Sequence, residues 1–337
     1  MVRWRRHLLS AASLALGAVL ITLMPRLVGA DWTAVWHSLS RLDPGALTVL
    51  VVVWALGLWA YTFVLTGSLP GLGHGRAFLL NAAGSAISNL LPLGGAAGVA
   101  ATFTMARTWG FSTAAVTVST LVSGIWNVFG RLLLPVVGIV ALLLVGQAPN
   151  RELAVGAGGA ALILLAVALV LAGALRWEWA ARTLDERLRQ LAARLPRRPG
   201  DLLRSLGGSL LHIREQTLDV LRSSWLTLTL GMTAYLFLQG VLFYVCMWAV
   251  GATLGVAQTV AVFALNRALT SAVVTPGGSG ITETGTAALL VYFGMNAPAA
   301  AAAVLLYSFF TFLIEIPVGG VAGAYWLNQQ ARKLTDS

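Results

Sequence analysis

The sequence predicts an all-α polytopic membrane protein with about six full spans and two hairpins of broken helix. Composition gives the first indication, since 58% of residues are hydrophobic and only 10% are charged, at a mean hydropathy of +0.82. Soluble domains have about 25% charged residues. Long apolar runs recur between short arginine-rich stretches, and two apolar segments contain Gly/Pro breaks. We therefore treat residues 1–337 as a single integral membrane domain.

A basic N-terminus precedes the first apolar run, at residues 8–24. The segment up to Ala30 is either a retained span or a signal peptide cleaved after small residues. Pro25 and Arg26 interrupt the usual approach to a cleavage site, which favours a retained span. Residues 31–43 contain Trp32 and Trp36 and predict an interfacial stretch. The second span follows at about residues 46–66.

Residues 76–146 form the first predicted repeat unit. Its hairpin, residues 76–107, breaks at Pro92 and Gly94 and begins and ends with arginine. The pattern is consistent with either two spans or a re-entrant loop. The apolar stretch that follows, residues 112–146, would be roughly 50 Å long as a helix, beyond a bilayer core of roughly 30 Å. We expect it to tilt, bend or project from the membrane.

After a span at residues 153–175, residues 176–224 form the one long hydrophilic stretch. Its excess of arginine predicts a cytosolic location, and leucines recur in it at helical spacing. We interpret it as an amphipathic linker lying on anionic lipid. The alternative is a platform that docks a cytosolic or membrane enzyme partner.

A span at residues 225–250 leads to the second predicted repeat unit, residues 256–327. Its hairpin, residues 256–294, breaks at Pro276, Gly277 and Gly278, where regular helix cannot continue. A last helix at about residues 299–327 precedes Arg332 and Lys333. The positive-inside rule therefore predicts that both termini are cytosolic.

The two hairpins align without a gap at an offset of 184 residues, which pairs Pro92 with Pro276 and Gly94 with Gly278. Three full spans separate them, and an odd number of spans inverts one unit relative to the other. Inverted repeats with broken helices at corresponding positions are typical of secondary transporters. The alternative is chance similarity between Gly/Ala-rich apolar segments.

Four charged residues fall inside predicted membrane segments: Arg131, Arg267, Glu283 and Glu315. Each costs at least about 2.5–3.5 kcal/mol at the bilayer centre. They form either structural charge pairs or a substrate or proton site. Arg131 lies within snorkelling reach of the inner headgroups or contacts a phosphate, whereas Glu315 is near the midplane.

In the functional hypothesis Arg267 holds a lipid phosphate, helped by backbone N–H groups near the second break. Glu283 or Glu315 then balances a cationic headgroup or carries a proton. The predicted substrate site comprises Arg267, Glu283, Glu315, Asn266, Pro276, Gly277, Gly278, Gly280, Arg131, Pro92 and Gly94.

Other classes of function lack support in the sequence. The net charge of +10 comes from arginines between apolar segments rather than from a nucleic-acid-binding face. Lys333 is the only lysine, so the chain has no Walker A motif. The four histidines have no Cys or carboxylate at ligand spacing, and we expect no metal or cofactor. No nucleophile and base are recognisable, so we expect no enzyme activity.

The run from Thr275 to Gly280, with Glu283 three residues on, resembles the lysylphosphatidylglycerol synthase transmembrane-region family, also called flippase-like or UPF0104 membrane proteins. Span order and the basic linker extend the likeness over nearly the whole chain. The resemblance implies a membrane domain that, when fused to an aminoacyltransferase, moves aminoacylated phosphatidylglycerol across the bilayer. Some relatives assist polyprenyl-linked glycan pathways.

The first hairpin departs from the family pattern, because the usual Pro-x-Arg-x-Gly-Glu is replaced here by Pro92-Leu93-Gly94-Gly95 without Arg or Glu. The chain stops at Ser337, and we expect a stand-alone membrane region without the synthase domain.

We therefore predict a flippase-like transporter in the plasma membrane for an anionic or zwitterionic phospholipid or a polyprenyl-linked lipid. The alternatives are a non-transporting scaffold in a cell-envelope lipid or glycan pathway, and a membrane-embedded enzyme that modifies lipid headgroups.

Overall fold

A computed structural model describes residues 19–90, 94–147, 210–270 and 280–335, together with isolated positions between 155 and 169. These residues form helices and connecting turns, with no strand among them. Four of the helices are long and apolar enough to cross a membrane. The expected span at residues 153–175, most of the one at 8–24, and the breaks at Pro92 and Pro276–Gly278 lie outside the described residues.

After a helical stretch at residues 19–27, ten helices follow in chain order. They are α1 (Trp32–Ser40), α2 (Pro44–Ser68), α3 (His74–Leu90), α4 (Gly94–Thr108), α5 (Thr113–Leu144), α6 (Leu210–Ala249), α7 (Val256–Leu269), α8 (Ile281–Tyr292), α9 (Ala297–Ser308) and α10 (Glu315–Thr335). A π-helical turn, Phe309–Leu313, joins α9 to α10.

Local sequence explains where the long helices begin. The carboxylate of Asp43 accepts hydrogen bonds from the first N–H groups of α2, and Pro44 opens that helix. The Ser112 hydroxyl caps α5 and the Asn296 side chain caps α9 in the same way. These side chains satisfy N–H groups that have no partner within the helix.

The four helices of the two hairpins are short. They contain 17, 15, 14 and 12 residues, so each is roughly 18–26 Å long, below the roughly 30 Å of a bilayer core. Within each hairpin the two helices touch, α3 with α4 and α7 with α8. In the first hairpin the approach requires glycine, because a Cβ on Gly94 would lie 2.0 Å from the Ser88 carbonyl oxygen.

The helix that follows each hairpin packs against the other hairpin. The most extensive contacts pair α6 with α2, α10 with α3, and α5 with α7. Thus α5, which follows the first hairpin, contacts the first helix of the second. In return α10, near the C-terminus, contacts the first helix of the first hairpin. The two hairpins are therefore held in one bundle by helices that exchange partners.

The boundaries of the two units occur at matching positions. The capping residues Ser112 and Asn296 are 184 residues apart. The same offset separates Gly110 from Gly294, which both adopt a positive φ in the preceding turn. It also separates the last residue of α4, Thr108, from the last residue of α8. Local structure thus follows the offset first seen in the Gly/Pro breaks.

Two segments differ from the sequence-based expectation. Residues 210–224, assigned to the linker, run without a break into the following span as the 40-residue helix α6. Val220 is buried in this part, where it packs with Val118 of α5, so burial favours an extension of the helix. The expected single helix at 299–327 is instead divided by the π turn before Glu315.

The contact between α10 and α3 predicts a selective loss of stability. A Cβ on Gly319 would lie 2.0 Å from the Ala82 carbonyl oxygen, whereas one on Gly320 would meet nothing within 4 Å. Gly319→Ala should therefore lower the thermal unfolding midpoint of the purified protein, by an overpacking cost of about 1–3 kcal/mol. Gly320→Ala is the matched control and should unfold like wild type. Equal midpoints for the two variants would contradict this packing.

Candidate functional site

A polar cavity of about 560 Å³ lies inside the helical bundle. Helices from both hairpins line it, together with α2, α5, α6 and the segment from α9 to α10. Its hydroxyl, amide and charged lining residues are Tyr61, Asn81, Ser85, Ser88, Asn89, Thr102, Ser119, Thr120, Ser123, Asn127, Arg131, Tyr235, Gln239, Asn266, Arg267, Thr270, Thr282, Glu283, Tyr307, Ser308, Thr311 and Glu315.

Helix α7 contributes two neighbouring polar side chains to the cavity. Arg267 is 8% exposed and Asn266 is 3% exposed. The Asn266 Nδ2 donates to the Thr286 hydroxyl at 3.0 Å, which ties α7 to α8. The Arg267 guanidinium hydrogen-bonds to the Tyr307 hydroxyl, yet its buried Nε has no partner. Asn266 Oδ1 is likewise buried without a partner.

Arg131 of α5 faces the same space from another helix. It is half-buried and lies close enough to Arg267 for the two like charges to repel. The buried Nε of Arg131 also lacks a hydrogen-bond partner. Its main favourable electrostatic interactions are with Tyr235, Tyr61 and Tyr307. The side chain therefore lines the cavity, where two cations approach each other.

Glu283 is held at the start of α8. Its Oε2 accepts a hydrogen bond from the Gly280 N–H at 2.5 Å, as in the acidic half of a capping box. Its Oε1 accepts from the Ser308 hydroxyl at 3.0 Å. The carboxylate is 8% exposed, and both of its oxygens are engaged by neutral donors. Glu283 thus fixes the entry of α8 while lining the cavity.

Glu315 lies at the start of α10, opposite the first hairpin. Its carboxylate hydrogen-bonds with Ser85 and with Asn89, whose Nδ2 is 3.5 Å from Oε2. Asn89 also donates to the Phe312 carbonyl at 3.1 Å. That carbonyl belongs to the π turn, where the regular hydrogen-bond pattern is interrupted. The first hairpin therefore satisfies both the turn and the adjacent charge.

Of the predicted site residues, Arg131, Asn266, Arg267, Glu283 and Glu315 all line this one cavity. Two others serve the backbone: Gly94 packs on Ser88, and Gly280 donates to Glu283. The remaining four, Pro92, Pro276, Gly277 and Gly278, lie outside the described residues.

Sequence reasoning did not assign several lining residues to the site. Tyr61, Tyr235 and Tyr307 resemble ordinary aromatic packing in an apolar span. Asn89 was visible as an amide in an apolar segment, but its partners lie more than two hundred residues away. An uncompensated amide at membrane depth is the signal that could have identified it.

A second, apolar groove of about 810 Å³ runs along the other side of α5, between that helix, α6 and α7. Gly130, Leu134, Leu236 and Phe263 are among its lining residues. Because Gly130 precedes Arg131, one short stretch of α5 faces both the polar cavity and the apolar groove.

Within the described part of the chain, no group of three His, Cys, Asp or Glu side chains is arranged to hold a metal ion. The cavity instead presents arginines, carboxylates, hydroxyls and amides. Such a lining suits a polar organic or phosphate-bearing group.

A family model described as the lysylphosphatidylglycerol synthase TM region matches residues 10–319. No curated protein matches the chain.

The cavity predicts a difference in thiol labelling. The native Cys246 is fully buried among apolar residues, so it should resist a charged, water-soluble thiol reagent. A cysteine at the cavity-lining position Thr120 should react if the cavity holds water. Mass spectrometry of labelled Thr120→Cys measures both sites in one molecule. A buried Leu290→Cys is the control, and equal resistance of residues 120 and 290 would contradict a hydrated cavity.

Proposed function

The chain belongs to the family of lysylphosphatidylglycerol synthase TM regions, and we propose that it moves a phospholipid or polyprenyl-linked lipid between the leaflets of the membrane. The lipid headgroup enters the polar cavity while its hydrocarbon chains stay in the apolar surroundings. The protein acts as a flippase-like transporter and performs no covalent chemistry.

One observation carries this proposal: all four charges predicted at membrane depth line one polar cavity inside an apolar bundle. Purely structural charges would be expected to neutralise each other in close pairs. Here Glu283 is instead bound by Gly280 and Ser308, and the two arginines face each other. A cavity that keeps unneutralised polar groups away from lipid is typical of a substrate pathway.

The proposed mechanism uses an inverted repeat. The matching caps, Ser112 and Asn296, and the matching turns, Gly110 and Gly294, support it, as do the short hairpin helices, which suit re-entrant rather than spanning segments. In such transporters the site lies between the repeats, and access alternates as one repeat moves against the other. Exchanged packing, of α5 on α7 and of α10 on α3, would make the two hairpins move relative to a common site.

We place the protein in the plasma membrane with both termini in the cytosol, and the arginine excess in the linker supports that orientation. The first hairpin then opens to the cytosol and the second to the outside. Gradients or ions drive the lipid, and either carboxylate of the cavity is available to carry a proton.

Reconstitution into liposomes tests this function. We expect purified protein to speed the exchange of a headgroup-labelled lipid between leaflets, measured by quenching the label in the outer leaflet. A panel of labelled phospholipids and polyprenyl phosphates identifies the headgroup class. Arg267→Ala and Glu283→Ala should each slow exchange at least tenfold, because each removes a charged group from the cavity.

The matched control is Arg107→Ala, since Arg107 is exposed and bonds only to a nearby backbone carbonyl. It should exchange lipid at the wild-type rate. A variant that lacks residues 182–208 should also retain exchange in liposomes, whereas a scaffold would lose its partners. Wild-type rates in well-folded Arg267→Ala and Glu283→Ala would show that the site is elsewhere.

A further inference from the structure

We propose that Arg131 and Arg267 together form a subsite for the phosphate group of the substrate. This inference rests on the proposed function and makes the polar cavity a site for phosphate-bearing lipids rather than for polar lipids in general.

The first argument is the approach of two like charges. Arg131 on α5 and Arg267 on α7 repel each other across the cavity, and α5 and α7 pack closely enough to hold them there. Two buried cations in one place are costly unless an anion lies between them. Their arrangement is therefore suited to a ligand with at least one negative charge.

The second argument is unused hydrogen-bonding capacity. Arg267 is 92% buried, because only 8% of its surface is exposed, and its Nε has no partner. The Nε of Arg131 is also buried and unpartnered. Guanidinium groups bind phosphate oxygens through two parallel N–H bonds, often involving Nε. A phosphate between them would satisfy both.

The third argument is the position of the carboxylates. Arg131 interacts mainly with Arg267 and tyrosines, and no carboxylate is among its principal electrostatic partners. Glu315 acts on Arg267 but is bonded to Ser85 and Asn89 of the first hairpin. The cavity is thus polarised, with a cationic end at Arg131 and an acidic end at Glu315.

Tyrosines complete the cationic end. The Tyr307 hydroxyl binds the Arg267 guanidinium and donates to Gln239 at 3.2 Å, so it positions that arginine. Tyr61 hydrogen-bonds with Asn127 and packs against Tyr235 with ring centroids 5.0 Å apart. Hydroxyl groups here add neutral hydrogen-bonding groups beside the guanidinium pair, as phosphate sites require.

The same helix gives the lipid a route for its hydrocarbon chain. Gly130 lines the apolar groove and Arg131 the polar cavity. A lipid with its phosphate at Arg131 would have apolar surface within a few ångströms for its chain. A free phosphate ion would use the cationic end alone, so the experiment separates these two sources.

Thermal unfolding of the purified protein in detergent provides the binding test. The probes are dihexanoyl phosphatidic acid, inorganic phosphate, and dihexanoylglycerol, which has the same chains without a phosphate. Phosphatidic acid should raise the unfolding midpoint in a saturable way, as expected for a ligand of the folded state. Dihexanoylglycerol should not.

Arg131→Gln and Arg267→Gln should each weaken phosphatidic acid binding at least tenfold. Arg131→Lys and Arg267→Lys keep the charge but lose the planar fork and should bind with intermediate affinity. Arg107→Gln removes one exposed positive charge and should leave binding unchanged. If the glutamine variants do not fold, the lysine variants alone decide, and wild-type affinity in both overturns the subsite.

The outcomes distinguish the subsite from the transport function. Arginine-dependent binding without leaflet exchange would keep the phosphate subsite and reject the transporter. Leaflet exchange with binding that ignores both arginines would do the reverse. Binding of inorganic phosphate but not of phosphatidic acid would keep the subsite and identify its source as a soluble phosphate. Equal binding of dihexanoylglycerol and phosphatidic acid would overturn it.

Discussion

The structure depends on one constraint: a charge or a broken helix inside hydrocarbon must find its polar partners within the protein. The bundle meets this constraint by collecting such groups in one place. Arg131, Arg267, Glu283 and Glu315 come from four different helices and line a common cavity. The interior is therefore polar while the outer surfaces of the long helices remain apolar, with side chains such as Leu133 and Phe237 exposed.

Exchanged packing brings these groups together. Asn89, on the first hairpin, binds Glu315 and the turn beside it, on the helix that follows the second hairpin. On the other side, Arg267 of the second hairpin faces Arg131 on the helix that follows the first. Arg131 and Glu315 are themselves 184 residues apart, the offset that relates the helix caps. Matching positions thus have opposite charges, which gives the cavity a cationic and an acidic end.

Much of this arrangement could be predicted from the sequence. Intramembrane charges are rare and expensive, so Arg131, Arg267, Glu283 and Glu315 stand out in an apolar chain without any structure. Helix ends were also readable, because Gly110 and Gly294 allow the positive φ that the turns need. These features are local, and each depends on a few neighbouring residues.

Contacts between distant segments could not be predicted in the same way. The π turn at Phe309–Leu313 is compatible with Pro317 nearby, but its stabilising amide comes from Asn89. For Arg131 the sequence left open whether the side chain snorkels toward headgroups or contacts a phosphate, since helical depth alone does not reveal direction. Tyr307 was read as an ordinary apolar-segment aromatic because its partners, Arg267 and Gln239, are set by tertiary packing.

The position of a bound phosphate tests the central claim most directly. Cryo-electron microscopy of the protein in nanodiscs that contain phosphatidic acid would locate the headgroup. The account predicts phosphate density between the guanidinium groups of Arg131 and Arg267, at about 2.7–2.9 Å from their nitrogens. Density confined to surface arginines such as Arg76 and Arg107, with the cavity empty or closed, would contradict it.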